Sequence, residues 1–420
     1  MFKYILPILF APLMLSSNAK SLDDWREYPL AVTSETNHKF WWVSEIKKAD
    51  LNHDGIADII YVGAHRPDNI NITGDNSGGM CGGVVCSGVL PGPVVYLSQA
   101  DGSFKSADHL FVDYRKQPGI SLGRRILLED FNADGTLDVY VVDHGLGTHN
   151  GFRDSYYLSQ KNGTWVESSN THLSDSNFVN FNHDSVTGDI DNDGDTDIVM
   201  NSLDGKLYCW INQGSGQFNK RTCGSVNKSF SLALGDFNND GFLDIVTGGH
   251  EYENDRTAII FNDKQGNFNY SFFKSIELPK INEWGTIPDI NVVDLDADGD
   301  LDIVLSRSRK LYVGAAIQLL FNQGNNQFDS KLHIILDAPI GFIPTHEGNE
   351  WNGFVNDIII VDVNSDRLPD LLLTVSAASG HGQRNNGSVL INQGSMKFNH
   401  ILMYQPDNPF EKINYLKYKK

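Results

Sequence analysis

Cysteine is scarce in this chain, basic residues are outnumbered, and no long hydrophobic run occurs beyond Leu15. Each shortage excludes something. With no apolar stretch of about 18 residues after Leu15, no helix is expected to insert in a membrane. With 33 Lys and Arg against 53 Asp and Glu, the formal net charge is −20. Such a surface repels phosphate backbones and anionic lipid, so no nucleic-acid partner is expected. There is no Gly-x-Ser-x-Gly elbow, no phosphate-cradling Gly loop and no His-Glu-x-x-His, which removes the commonest hydrolase, nucleotide and zinc-protease signatures. Convincing amphipathic helices are absent as well, so an all-β fold is expected.

The four cysteines are Cys81, Cys86, Cys209 and Cys223. Of their three possible pairings, the two local ones, Cys81–Cys86 and Cys209–Cys223, are expected, because both pairs flank short loops. A four-cysteine zinc site lacks the usual two-residue spacing within each pair. Disulfides suit an oxidising compartment, and the N-terminus agrees. Lys3 precedes the 12-residue apolar run Tyr4 to Leu15, and Ser17-Asn18-Ala19 places small residues where a signal peptidase reads. Residues 1–19 are therefore expected to be a signal peptide cleaved after Ala19. Residues 20–420 are expected to be one secreted or periplasmic domain, and a monomer.

What is abundant is a nine-residue pattern, Asp-x-Asp/Asn-x-Asp-Gly-x-x-Asp. It runs Asp50–Asp58, Asp130–Asp138, Asp189–Asp197, Asp236–Asp244, Asp294–Asp302 and, degenerate, Asp362–Asp370. Short β-branched runs flank each copy, and a second signature follows: an apolar run, a polar turn with Gly, and an aromatic. Those aromatics are Phe104, Trp165, Phe218, Phe268, Phe328 and Phe398. About four strands per unit follow, and such a unit cannot bury both faces alone. Radial stacking solves this, so the expected fold is a β-propeller of six four-stranded antiparallel blades. A seventh would need a degenerate sheet built from both termini. Lys20 to Lys39 could instead supply a strand that closes the ring on the last blade. The first unit carries a Gly/Asn-rich insertion at about 65–93.

A hard cation explains the nonapeptide, since Ca²⁺ takes six to eight oxygens at about 2.3–2.6 Å. Side chains at positions 1, 3, 5 and 9 and the carbonyl at position 7 would supply them, with Gly at position 6 for the sharp turn. The expected ligands are Asp50, Asn52, Asp54, Ile56 and Asp58 in the first loop, and Asp130, Asn132, Asp134, Thr136 and Asp138 in the second. The third offers Asp189, Asp191, Asp193, Asp195 and Asp197, and the fourth Asp236, Asn238, Asp240, Phe242 and Asp244. The fifth offers Asp294, Asp296, Asp298, Asp300 and Asp302. In the sixth, Asp362, Asn364, Asp366 and Asp370 remain, but Arg367 replaces the Gly, so five calcium sites are expected and the sixth is not counted. An EF-hand is excluded: its loop has twelve residues, ends in Glu and lies between helices.

The stretches Gly188-Asp189-Ile190-Asp191-Asn192-Asp193-Gly194, Gly235 to Asp244 and Asn212-Gln213-Gly214-Ser215-Gly216-Gln217-Phe218 resemble the FG-GAP/VCBS repeat family, which includes the integrin α-subunit propeller. The resemblance implies a propeller with structural calcium. It does not imply one function, because such repeats serve adhesion, ligand binding and scaffolding.

Equivalent positions in a ring converge on one face. His144 and His250 both follow the closing Asp of their loops by six residues, and His65 by seven. With Arg66, His149 and Glu251 beside them, these residues form a candidate ligand site at one mouth of the channel. The expected function is a secreted binding, adhesion or protein-interaction module for an extracellular protein or glycan. The alternative is a polysaccharide-cleaving, lyase-like enzyme that uses the same histidine face. Surface histidines with no ligand are the plainest alternative to both.

Overall fold

A computed structural model describes residues 40–65, 92–101, 103–112, 119–145, 152–226, 228–269, 275–324, 326–336, 353–377 and 388–402. Cys81, Cys86, Arg66, His149, the expected signal peptide and nearly all of the insertion lie outside the described residues, as does Lys20 to Lys39. The described residues form six sheets. The first holds β1 (Phe40–Ala49), β2 (Asp58–His65), β3 (Val94–Ser98) and β4 (Phe104–Ser106). After β5 (Phe111–Val112) comes the second, with β6 (Gly123–Glu129), β7 (Asp138–Asp143), β8 (Ser155–Ser159) and β9 (Trp165–Glu167). The third holds β10 (Ser185–Gly188), β11 (Asp197–Asn201), β12 (Lys206–Asn212) and β13 (Phe218–Ser225). The fourth holds β14 (Ser229–Gly235), β15 (Asp244–Gly249), β16 (Ala258–Ile260) and, after β17 (Phe268–Asn269), β18 (Ser275–Glu277). The fifth is β19 (Ile290–Val293), β20 (Asp302–Arg309), β21 (Val313–Asn322) and β22 (Phe328–Leu336). The sixth is β23 (Gly353–Val361), β24 (Asp370–Ala377), β25 (Ser388–Asn392) and β26 (Phe398–Leu402).

The described residues thus form a six-bladed, antiparallel-dominated β-propeller with almost no helix. Consecutive residues of a strand face opposite ways, and here each face meets a neighbouring blade. Ile245 packs towards the third blade and Val246 towards the fifth, which is why β15 reads as a continuous apolar run. Five apolar clusters fill the five successive blade contacts from first to last. The ring closes where Asn356 Nδ2 of the last blade donates to the Ser44 carbonyl of the first at 3.1 Å.

Two details depart from a simple hairpin repeat. Phe268 opens β17, which pairs in parallel with β13 of the preceding blade, leaving β18 as the outer strand of its own. Likewise β5, following the first blade, pairs in parallel with β9 of the second. Outer edges of blades two and three are thereby covered, which removes two exposed strand edges. The expected Cys209–Cys223 disulfide is present and joins β12 to β13.

Up-and-down connectivity sorts the loops by end. The acidic nonapeptides, joining first to second strands, share one end of the channel with the third-to-fourth hairpins. The described parts of the second-to-third connections, including His144 and His250, lie at the other.

Candidate functional site

At the loop end, all six nonapeptides adopt one conformation. The Asp at position 1 accepts two backbone bonds, from the N–H groups of positions 5 and 6. Examples are Asp54 and Gly55 onto Asp50, at 3.0 and 2.8 Å, and Asp193 and Gly194 onto Asp189, at 3.1 and 2.9 Å. Position 6 is left-handed, as expected of Gly, but so is position 4: His53, Ala133, Asn192, Asn239, Ala297 and Ser365 have φ between 54° and 64°. Arg367 takes the same left-handed form at φ 72°, and its N–H still reaches Asp362 at 2.8 Å. The replacement of Gly strains the sixth loop without refolding it, because the other position-6 glycines have nothing within 4 Å of an added Cβ.

Position 9 does more than the spacing suggests. Asp58, Asp138, Asp197, Asp244, Asp302 and Asp370 are completely buried. One oxygen of each accepts the position-2 N–H of its own loop and the other an N–H at the end of the third strand, as with Ile190 at 3.1 Å and Asn212 at 2.8 Å onto Asp197. Burial pushes the Asp197 carboxyl up to about 7, against the backbone bonds that lower it. Asparagines at or just beyond the end of three of the third strands then reach across to the preceding blade. Asn212 donates to the Phe131 carbonyl, Asn262 to Ile190 and Asn392 to Leu295, each at 2.8 Å. Loop and blade joint are one structure.

The loops differ at position 3. Where it is Asn, its Oδ1 accepts the position-5 N–H at 3.0 Å in the first, second, fourth and sixth loops. In three of them its Nδ2 also donates to the position-5 carboxylate. Where it is Asp, the side chain has no N–H to give: Asp191 Oδ1 and Asp296 Oδ1 are buried without a hydrogen-bond partner. Oxygens of Asp189, Asp191 and Asp193 lie within 4.8 Å of one another, as do those of Asp294, Asp296 and Asp302. A buried carboxylate oxygen facing other carboxylates is the deficit a cation fills. The third and fifth loops therefore fit a metal ion best.

Between the two ends lies a hub that the sequence reading missed. The residue five positions before each loop is, in order, Glu45, Arg125, Asp184, Ser231, Asp289 and Asp357. Arg125 donates from Nε to Asp184 at 2.6 Å and from Nη2 to Asp289 at 3.0 Å, with Glu45 at 3.5 Å and Asp357 at 3.9 Å from Nη1. One guanidinium thus faces carboxylates from four other blades. Burial pushes the Asp289 carboxyl up to about 8 even with Arg125 pulling it down. The constant offset, on the N-terminal side of every loop, is the signal that marks it in the sequence.

At the opposite mouth His144 and His250 are drawn together through residues that were not anticipated. His144 Nε2 lies 3.2 Å from His183 Nε2, and its ring sits 3.7 Å from that of Phe181. His183 contacts Phe230 at 4.2 Å, Phe230 stacks on His250 at 4.0 Å, and His250 stacks on Tyr252 at 4.9 Å. Tyr312 Oη reaches His250 Nε2 at 3.4 Å and its ring meets Phe354. The row crosses blades two to six. His183 and Phe230, like Arg124, stand six residues before their loops. In β6 and β14 the pairing register slips at Arg124 and Phe230, a bulge that re-aims side chains.

Protonation in this row is set by burial. His144 is pushed down to about 3, by burial first and then by the Arg124 charge. His183 is lowered by burial, then by His144 and Arg124, so both imidazoles are neutral at pH 7. His144 Nδ1 lies 3.1 Å from the Gly145 carbonyl and must carry its proton, since a carbonyl only accepts. Its Nε2 is then a bare lone pair, and His183 Nε2–H donates to it. His183 Nδ1 is buried without a partner.

Of the other expected site residues, Glu251 follows His250 but its carboxylate is held inward by Arg307, at 3.1 Å, and by Thr257 at 2.7 Å. His65 ends β2, paired in register with Phe40.

The chain is similar to several known proteins. A T-cell immunomodulatory protein homolog of Plasmodium falciparum (isolate 3D7) is 28% identical over 154 residues, covering 33% of this chain and 20% of that protein. The match thus spans about a fifth of that relative's length. Two solved structures are similar: the V. cholerae biofilm matrix protein Bap1, at 15% identity and TM-score 0.36 over 71% of this chain and 42% of that one; and BBS1N in complex with ARL6DN, at 9% identity and TM-score 0.42 over 88% and 91%. The model of the FG-GAP-like repeat matches residues 130–200 and 189–247. These two stretches, which carry the second, third and fourth acidic loops, are FG-GAP-like repeats.

Proposed function

We propose that the protein is a secreted binding module: a propeller held rigid by calcium at its acidic loops, which captures an extracellular protein or glycan at its ring-lined mouth. FG-GAP-like repeats on a propeller support an interaction role, and the Cys209–Cys223 disulfide fits an extracellular setting. The observation that carries the reading is the unbroken row from His144 through His183, Phe230 and His250 to Tyr252, assembled from three blades. Neutral imidazoles, phenols and ring faces are the lining of a binding site, offering apolar contact with a few directional polar groups. At the loop end, the third and fifth loops are the first to take calcium, the remainder following as position 3 changes from Asp to Asn.

A second reading rests on the Tyr312 Oη to His250 Nε2 approach of 3.4 Å, a phenol and imidazole placed for proton transfer to a polysaccharide. One experiment separates the two: a glycan array and an eliminative-cleavage assay on the wild type, His144→Ala and His250→Ala. Binding without turnover, weakened in both variants, supports the module. Turnover lost in the variants supports the enzyme. Wild-type ligand binding that neither variant alters removes the mouth from both.

A further inference from the structure

On a chain of net charge −20, the charges of the mouth are opposed. Asp255 and Glu253 stand against Lys228 and Lys310, and the Glu251 carboxylate is taken up by Arg307 and Thr257. Arg124 is desolvated and already engaged. The polar atoms of the ring row are taken up as well: those of His144 by Gly145 and His183, Tyr312 by His250, Tyr252 by Thr286. Backbone N–H groups of Ser121, Leu122 and Gly145 fill the Asp143 carboxylate. His183 Nδ1 is open but buried, out of a ligand's reach. What remains accessible is carbon. Phe181, Phe230 and Tyr312 are partly exposed, and Tyr252 more so. Among the described residues four large apolar side chains stand well exposed, and three of them, Val179, Tyr252 and Ile335, lie at this end. Val179 is in the connection from β9 to β10, and Ile335 pairs with Ala316 near the start of β21.

Resting on the reading of the mouth as a binding site, we infer that its occupant is a protein, which docks an uncharged apolar segment on the ring row. A sugar would bury hydroxyls against donors and acceptors that are already matched, and an unpaired buried hydroxyl is costly. A charged ligand gains little where acids and bases stand side by side. An aliphatic or aromatic side chain needs no polar partner and gains both burial and ring contact. The arrangement has the anatomy of a protein interface: an aromatic centre without free charge, inside a rim where exposed apolar and charged groups mix.

The test applies the labelled full chain to an array of random dodecapeptides and to a glycan array, with Tyr252→Ser and Val179→Ser variants beside the wild type. Both side chains are exposed, so the fold is retained. Uncharged peptides rich in Leu, Phe or Trp should hold the chain more tightly than any glycan. Affinity for the best of them should fall about tenfold in Tyr252→Ser and by less in Val179→Ser, and should change by under about twofold in about 0.5 M salt. Preference for a glycan, weakened in Tyr252→Ser, overturns this inference and leaves the binding-site reading standing. Preference for charged peptides, lost in the same salt and weakened in Tyr252→Ser, does likewise. Apolar peptides that hold both variants as tightly as the wild type, or no binding on either array, overturn both.

Discussion

The two ends of the channel were built under opposite rules. At the loop end six blades repeat one design almost atom for atom: the same two bonds onto position 1, the same buried Asp at position 9, the same left-handed pair of residues. At the mouth the inner strands diverge, and the positions six before the loops differ in every blade: Ser44, Arg124, His183, Phe230, Pro288 and Asn356. Repetition marks what every blade needs to stand beside its neighbour. Divergence marks where one molecule must differ from another with the same fold. The hub around Arg125 separates the ends, and it shows repetition of place with variation of charge.

The largest expected effect comes from that boundary. Arg125→Met leaves carboxylates from four blades facing one another with Lys47, 3.1 Å from Glu45, left to offset them, and the loss should be about 3–5 kcal/mol. Urea unfolding measures it; a loss under about 1 kcal/mol would show that the blades hold without the hub. Next comes the contrast within the loop end. Asp191→Asn with Asp296→Asn should stabilise the metal-free protein slightly by relieving carboxylate crowding, while cutting the gain in Tm that calcium brings. Equal calcium gains in variant and wild type would erase the distinction between the two kinds of loop.

Much of the loop end was legible in the sequence because its chemistry is local. Asp, Gly and Asp at fixed offsets specify a turn and a ligand set within nine residues, and in five of the six blades the aromatic after the hairpin opens the fourth strand, Phe268 being the exception. Position 4 escaped because four residue types hold its left-handed conformation there, His, Ala, Asn and Ser, so no single letter marks it. The mouth was legible only in part. His144 and His250 were found by equivalence, but His183 just precedes β10 and Phe230 sits at a bulge in β14, and a bulge has no residue signature. The hub is assembled from residues as far apart in the chain as Glu45 and Asp357, and nothing but the repeated offset announces it.

A smaller effect is set by buried acids beside the mouth. Burial pushes Asp143 up to about 7 and Asp154 up to about 6, both above the ordinary 3.8. The folded state therefore holds protons that the unfolded chain releases, and stability falls as pH rises from about 4 to about 7. Thermal melts of chelator-treated protein at pH 5 and pH 8 check the sign; a higher Tm at pH 8 would contradict it. Smallest is Arg367→Gly, which removes one left-handed non-glycine residue and should add about 1 kcal/mol. Urea unfolding should show that gain at the loop end without any change in ligand affinity at the mouth.

The most direct test of the account is a thermal melt of the wild-type chain with saturating calcium and again with EDTA. Ions that bind only the closed ring must raise its melting temperature, and calorimetric titration of the stripped protein should find at least the third and fifth loops taking calcium. Identical melts, with no heat of calcium binding, would mean that the acidic loops hold the blades through their backbone bonds alone.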